Sequence, residues 1–78
     1  MSRGADPDRN ARAQAFGENL RDARREAELS QDELAGHADI DRGAISTYEH
    51  GKREPNPRTI VKLAHALGVP AGTLLRGL

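Results

Sequence analysis

The sequence predicts an all-α fold of five helices, and three observations carry that expectation. Aromatic residues are reduced to Phe16 and Tyr48 while Ala, Leu, Arg and Glu dominate, which favours helix over a sheet sandwich or barrel. Apolar residues recur at helical rather than alternating spacing. Capping residues and glycines punctuate those repeats at short intervals. The 78 residues hold one domain, which at this size buries only about 60% of the surface of its unfolded chain. With no cysteine, neither a disulfide nor a thiolate metal site can staple so small a core, so helix packing has to suffice.

Phe16, Leu20, Ala23 and Ala27 fall at i, i+4, i+7 and i+11 and define the apolar face of a first helix running to about Glu28. Its start is open: Asp6 before Pro7 reads as a cap and first helical residue, whereas Gly17 inside the pattern costs up to ~1 kcal/mol. Residues 1–14 are therefore set apart as an N-terminal arm, either frayed or extending helix one, and 15–78 as the domain proper. A second helix starts at Ser30, where Glu33 completes a capping box and Leu29 and Leu34 take the staple positions; it runs down between Gly36 and Asp39. Asp41 reads as the cap of a third helix, stapled by Ile40 and Ile45 and ended by Gly51 in a left-handed conformation. Asn56 and Pro57 open a fourth, whose Ile60, Leu63, Ala64 and Leu67 repeat at i, i+3, i+4 and i+7 before Gly68 and Val69 close it. A short fifth is expected over 71–76, with Leu74 and Leu75 apolar.

Several functions are disfavoured. No run approaches the ~18 apolar residues of a membrane span, and the opening MSRGADPDRNARAQ lacks the apolar core of a signal peptide, so a cytoplasmic location is expected. His37, His50 and His65 stand thirteen and fifteen residues apart with no i, i+4 pair, which argues against a metal site. Carboxylates such as Glu26 and Glu28 or Asp39 and Asp41 sit at helix ends with nothing to build a pocket, so no enzyme, cofactor or small-molecule ligand is expected. The run RDARREAE alternates in sign as a solvated helix face does. Twelve basic and twelve acidic side chains cancel, but unevenly: residues 17–40 hold three basic against seven acidic, and residues 41–62 five basic against three acidic. A neutral chain can thus still carry a positive strip.

Two short helices across a tight turn, each too short to be stable alone, match a helix-turn-helix, in which the second helix lies in a DNA major groove. The segments LSQDELA, DRGAIS, YEHGKREP and LAHALGV, followed by LL, resemble the XRE, Cro and phage-repressor helix-turn-helix family from Phe16 to Gly77. The resemblance implies a compact five-helix bundle of the lambda-repressor-like type, and a sequence-specific DNA-binding regulator, expected to be a repressor.

With Ile45 and Tyr48 inward, steps of 100° per residue place Gly43, Ser46, Thr47 and His50 on the outer face of helix three, with Arg42 at its edge. The resemblance assigns Arg42, Gly43, Ser46 and Thr47 to base reading. Arg42 leads, because a guanidinium can take O6 and N7 of one guanine together. Gly43 replaces the long polar side chain frequent there; it either brings the backbone closer to DNA or is a neutral small residue. Gln31, Lys52 and Arg53 match phosphate-binding positions of the family, with His50 and Arg58 adding to them, while Asp32 is out of place beside an anion. Arg24 and Glu49 match a pair that bridges helices one and three, the bland alternative being two solvated charges. Double-stranded DNA with a two-fold operator is the expected partner, bound by a weak homodimer that uses the domain's own surface near Val69, Leu74, Leu75 and Leu78. The alternative is a protein-interaction module, adaptor or antitoxin-like, on the same scaffold.

Overall fold

A computed structural model describes residues 7–78 as five helices in the order α1 (Pro7–Glu26), α2 (Gln31–Ala38), α3 (Arg42–Glu49), α4 (Pro57–Leu67) and α5 (Ala71–Leu74). Six fully buried side chains drawn from all five make the centre: Phe16 and Leu20, Leu34, Ile45, Leu63 and Leu74. Burying each contributes about 1.5–3 kcal/mol, which offsets the poor stability of such short helices alone. The main interfaces close a ring, α1 on α3, α3 on α2, α2 on α4, α4 on α5 and α5 back on α1. Phe16 and Tyr48 meet edge to face, ring centroids 6.2 Å apart, where α1 crosses α3.

Local chemistry sets most boundaries. Ser30 Oγ accepts from the Glu33 backbone N–H at 3.0 Å, and the Glu33 carboxylate accepts from the Ser30 N–H at 2.8 Å. Asn56 Oδ1 likewise accepts from the Thr59 N–H, ahead of Pro57 in the first turn of α4. At the other end of α4, Gly68 is left-handed (φ +70°) and the Val69 N–H returns to Ala64 O at 3.0 Å. Asn19 on α1 donates to the Leu74 and Arg76 carbonyls, fastening the chain after α5.

Three details differ from the sequence expectation, and the start of α1, left open there, falls at Pro7. Residues 7–14 are helical and extend α1, the second of the two readings of this segment; Asp6 lies outside the described residues. At its far end α1 stops at Glu26, because Glu28 turns left-handed (φ +59°) and the Leu29 N–H bonds Arg24 O; Ala27 is consequently exposed. Asp41 occupies the cap position of α3 without a side-chain cap bond. Its carboxylate lies over Gly43, with Oδ2 2.8 Å from where a Cβ there would stand. The regular turns of α5 end at Leu74, leaving Leu75 and Leu78 38% and 44% exposed.

Gly17 is the most closely packed of the glycines. A Cβ there would lie 2.4 Å from Tyr48 O and 3.1 Å from Glu49 O, so α1 reaches the C-terminal end of α3 only because this residue has no side chain. Alanine normally stabilises a helix interior by about 1 kcal/mol relative to glycine. Here Gly17→Ala is expected to reverse that sign and destabilise by about 1–3 kcal/mol, because the obstructing atoms are backbone and the helices must part. Gly36→Ala, with nothing within 4 Å, is expected to stabilise by about 0.5–1 kcal/mol. Urea midpoints of the two variants check the opposite signs.

Candidate nucleic-acid interface

The orientation of α3 rests on a buried carboxylate. Glu49, in its last turn, has a side chain with no solvent exposure, yet every partner it needs converges on it. Arg24 of α1 approaches side-on, Nε donating to Oε2 at 2.6 Å and Nη2 to Oε1 at 3.0 Å. The third nitrogen of the same guanidinium, Nη1, donates to Leu29 O at 2.7 Å, just before α2 begins. Gln31 Nε2 donates to Glu49 Oε1 at 3.1 Å, and Arg21 Nε stands 3.6 Å from the same oxygen. One residue of α3 is thereby tied to α1, to the α1–α2 link and to the first residue of α2.

Burial alone would raise the Glu49 carboxyl; the hydrogen bonds from Arg24 and Gln31, with the charges of Arg24 and Arg21, outweigh it and hold the group below its ordinary value. The Arg24 guanidinium is correspondingly pushed up, chiefly by its hydrogen bonds to Glu49 and against its own burial. Glu33 is also held low, first by the Ser30 backbone N–H and then by the Ser30 hydroxyl. Because the Arg24 side chain keeps only 14% exposure and that of Glu49 none, leaving either partner unmatched is costly.

With that end anchored and Ile45 and Tyr48 buried, the opposite side of α3 faces out. Arg42, Gly43 and His50 are exposed, and Ser46 and Thr47 half-exposed. The Thr47 hydroxyl donates to Gly43 O at 2.9 Å, so its proton is committed within the helix; what remains for a ligand is the methyl group and an oxygen lone pair. His50 Nδ1 lies 2.7 Å from Ser46 O, which can only accept, so Nδ1 carries a proton and Nε2 is the nitrogen left for outside contacts. Gly43 is not required by space, since the only obstruction to a Cβ is the rotatable Asp41 carboxylate.

Arg42 does not stand free: its Nε lies 2.9 Å from Asp32 Oδ1 across the turn between α2 and α3. Both are well exposed, so the pair adds ~0–1 kcal/mol to stability and is easily exchanged for another partner. Lys52 and Arg53 follow α3 in an exposed loop shaped by left-handed Gly51 (φ +69°), whose turn sits against Gln14 of α1. Arg58 is exposed in the first turn of α4. None of these three forms an ion pair among the described residues. Gln31 spends one amide proton on Glu49 and keeps the second, beside the open N-terminal turn of α2.

The structure thus gathers Arg24, Glu49 and Gln31 into one network and lines up Arg42, Gly43, Ser46, Thr47 and His50 along one side of α3. Sequence reasoning missed Arg21 as a further partner of Glu49 and missed the Asp32–Arg42 pair. Ten residues separate Asp32 from Arg42, outside any helical repeat, so no local pattern signals it.

A buried anchor and an outward-facing short helix are the parts of a helix-turn-helix reader. The chain belongs to the helix-turn-helix domain family, whose profile matches residues 17–78. It is 45% identical over 58 residues to the HTH-type transcriptional repressor RghR of Bacillus subtilis, a match covering 73% of this chain and 43% of RghR. It is 37% identical over 62 residues to the uncharacterized HTH-type transcriptional regulator YqaE of the same organism, covering 80% of this chain and 53% of YqaE. The chain therefore spans about half the length of these curated relatives. Among solved structures, the restriction-modification controller protein C.AhdI of Aeromonas hydrophila superposes with a TM-score of 0.77 at 35% identity, covering 80% of this chain and 94% of that one. The relatives are named as regulators, and the fold is the one expected of XRE, Cro and phage-repressor proteins. Among the described residues no helix is long and apolar enough to cross a membrane.

The Glu49 network makes stability depend on acid. A carboxylate held below its unfolded value stabilises the fold above that value, 4.5, and the contribution disappears as pH falls through the lower folded-state value. Urea midpoints should therefore drop as pH is lowered from about 5. Glu49→Gln is expected to cost about 3 kcal/mol at neutral pH, by leaving Arg24 unmatched, and to flatten this acid dependence to the part that Glu33 supplies. An acid limb as steep in the variant as in the parent would refute the assignment.

Proposed function

We propose that this chain is a sequence-specific DNA-binding transcriptional regulator, acting in the cytoplasm as a repressor and reading the major groove with α3. One observation carries the reading: a short helix is pinned by a buried ion pair at one side while Arg42, Ser46, Thr47 and His50 are left accessible along the other. In this arrangement Arg42 reads a guanine, and the methyl of Thr47 meets a thymine or its oxygen accepts from a base amino group. Gly43 adds no side chain beside them, and the rotatable Asp41 carboxylate lies over it. Gln31, Lys52, Arg53 and Arg58 hold phosphates on either side, joined by His50.

The domain's small reading surface suits a two-fold operator bound by two copies, with half-sites one helical turn apart. Of the apolar residues near the C-terminal end, Leu74 is fully buried and Val69 packs against the core, which leaves Leu75 and Leu78 for a contact between copies. So small a patch supports a weak dimer, strengthened when both copies sit on one duplex.

Selection of bound duplexes from a random pool at moderate salt tests the reading. A palindromic consensus is expected. Arg42→Ala should weaken binding to it by about 10- to 100-fold while changing affinity for unrelated duplexes little. Lys52→Ala or Arg53→Ala should weaken all duplexes alike and reduce the slope of log affinity against log salt by about 0.9. Recovery of no preferred sequence would instead favour an interaction module whose partner is protein.

A further inference from the structure

Asp32 poses a question that the proposed function leaves open. It stands in the first turn of α2, at the helix end that this function sets against a phosphate, where a carboxylate opposes the anion. Capping does not require it, because Ser30 and Glu33 complete the capping box between them. Nor does the helix dipole, which Glu33 in the same turn already complements. What Asp32 does contact is Arg42, with Oδ1 2.9 Å from Nε, both side chains lying largely in solvent (74% and 65% exposed).

We infer that Asp32 is a positioning and selectivity residue for the Arg42 contact, an inference that rests on the DNA-reading function proposed above. The carboxylate meets the guanidinium at Nε, the end nearest the backbone, and leaves the two Nη groups at the tip. A guanine offers O6 and N7 side by side, and two coplanar N–H donors match them. Holding this long side chain before DNA arrives reduces the rotamer freedom lost on binding. The second effect is repulsive. On the matching base pair the guanine contact keeps the Arg42 charge beside Asp32, so that it neutralises the carboxylate near the phosphates. On a mismatched pair it does not, and the negative charge of Asp32 remains as an uncompensated penalty. An acidic residue at the phosphate end of α2 thus lowers affinity everywhere except where its partner finds a guanine.

The test uses the full chain and two duplexes: the consensus selected by the parent protein, and the same duplex with the base pair read by Arg42 replaced. Dissociation constants are measured for the parent, Asp32→Asn, Arg42→Ala and the double variant. Asp32→Asn is expected to bind the replaced duplex about tenfold tighter while gaining little on the consensus, so that discrimination falls about tenfold. In the Arg42→Ala background the same substitution should leave discrimination unchanged. Equal tightening on both duplexes, or an equal loss of discrimination without Arg42, overturns the inference while leaving the reader assignment intact. A parent protein that selects no duplex overturns both.

Discussion

The structure depends on a charged group placed where water cannot reach it. Taking the Glu49 carboxylate out of solvent is unfavourable unless its oxygens are matched, and the matching donors come from two separate helices, Arg24 of α1 and Gln31 of α2. Any rotation or slide of α3 against α1 and α2 would break those contacts together. Apolar burial of Ile45 and Tyr48 says only which side of α3 faces inward, and a greasy contact tolerates small shifts. Directional hydrogen bonds to Glu49 remove that freedom, which matters because a base edge is read to within a fraction of an ångström.

The same junction explains why a glycine sits within the long first helix. Gly17 lets α1 approach the carbonyls of Tyr48 and Glu49, which shortens the distance Arg24 has to bridge. The two features are mutually dependent: a bulkier residue at 17 pushes α3 away, and a displaced α3 leaves Arg24 and Glu49 buried without each other. The eight-residue α2 and α3 can be this short because longer helices brace them, the twenty-residue α1 against α3 and the eleven-residue α4 against α2.

Charge is arranged by position rather than by total. A chain with no net charge still presents Lys52 and Arg53 after α3 and Arg58 at the start of α4, while acidic residues are capped, paired or distributed along solvated helix faces. Glu33 is held by Ser30, Glu49 by Arg24 and Gln31, and Asp32 by Arg42. Under the proposed function, such a surface limits nonspecific attraction to polyanions and leaves the few unmatched cations to determine where a phosphate settles.

Much of this was legible from residue order alone, because helix starts and stops are decided within a turn of chain. Ser30 with Glu33, Asn56 with Pro57, and Gly68 with Val69 act over one to three residues, and apolar spacing identified Phe16, Leu20, Leu34, Ile45 and Leu63 as core. The outward side of α3 followed from the same periodicity. Local rules failed at two places: Asp41 carries no side-chain cap bond and lies over Gly43 instead, and Gly17 is a packing requirement set by the distant Tyr48 and Glu49 carbonyls rather than a flaw in a helix. Arg21 and Gln31 joining Glu49, and Asp32 meeting Arg42, were settled only when α1, α2 and α3 came together. Caps and periodicity are properties of neighbouring residues and can be read along the chain; contacts between helices depend on angles and separations that emerge only once the core has closed.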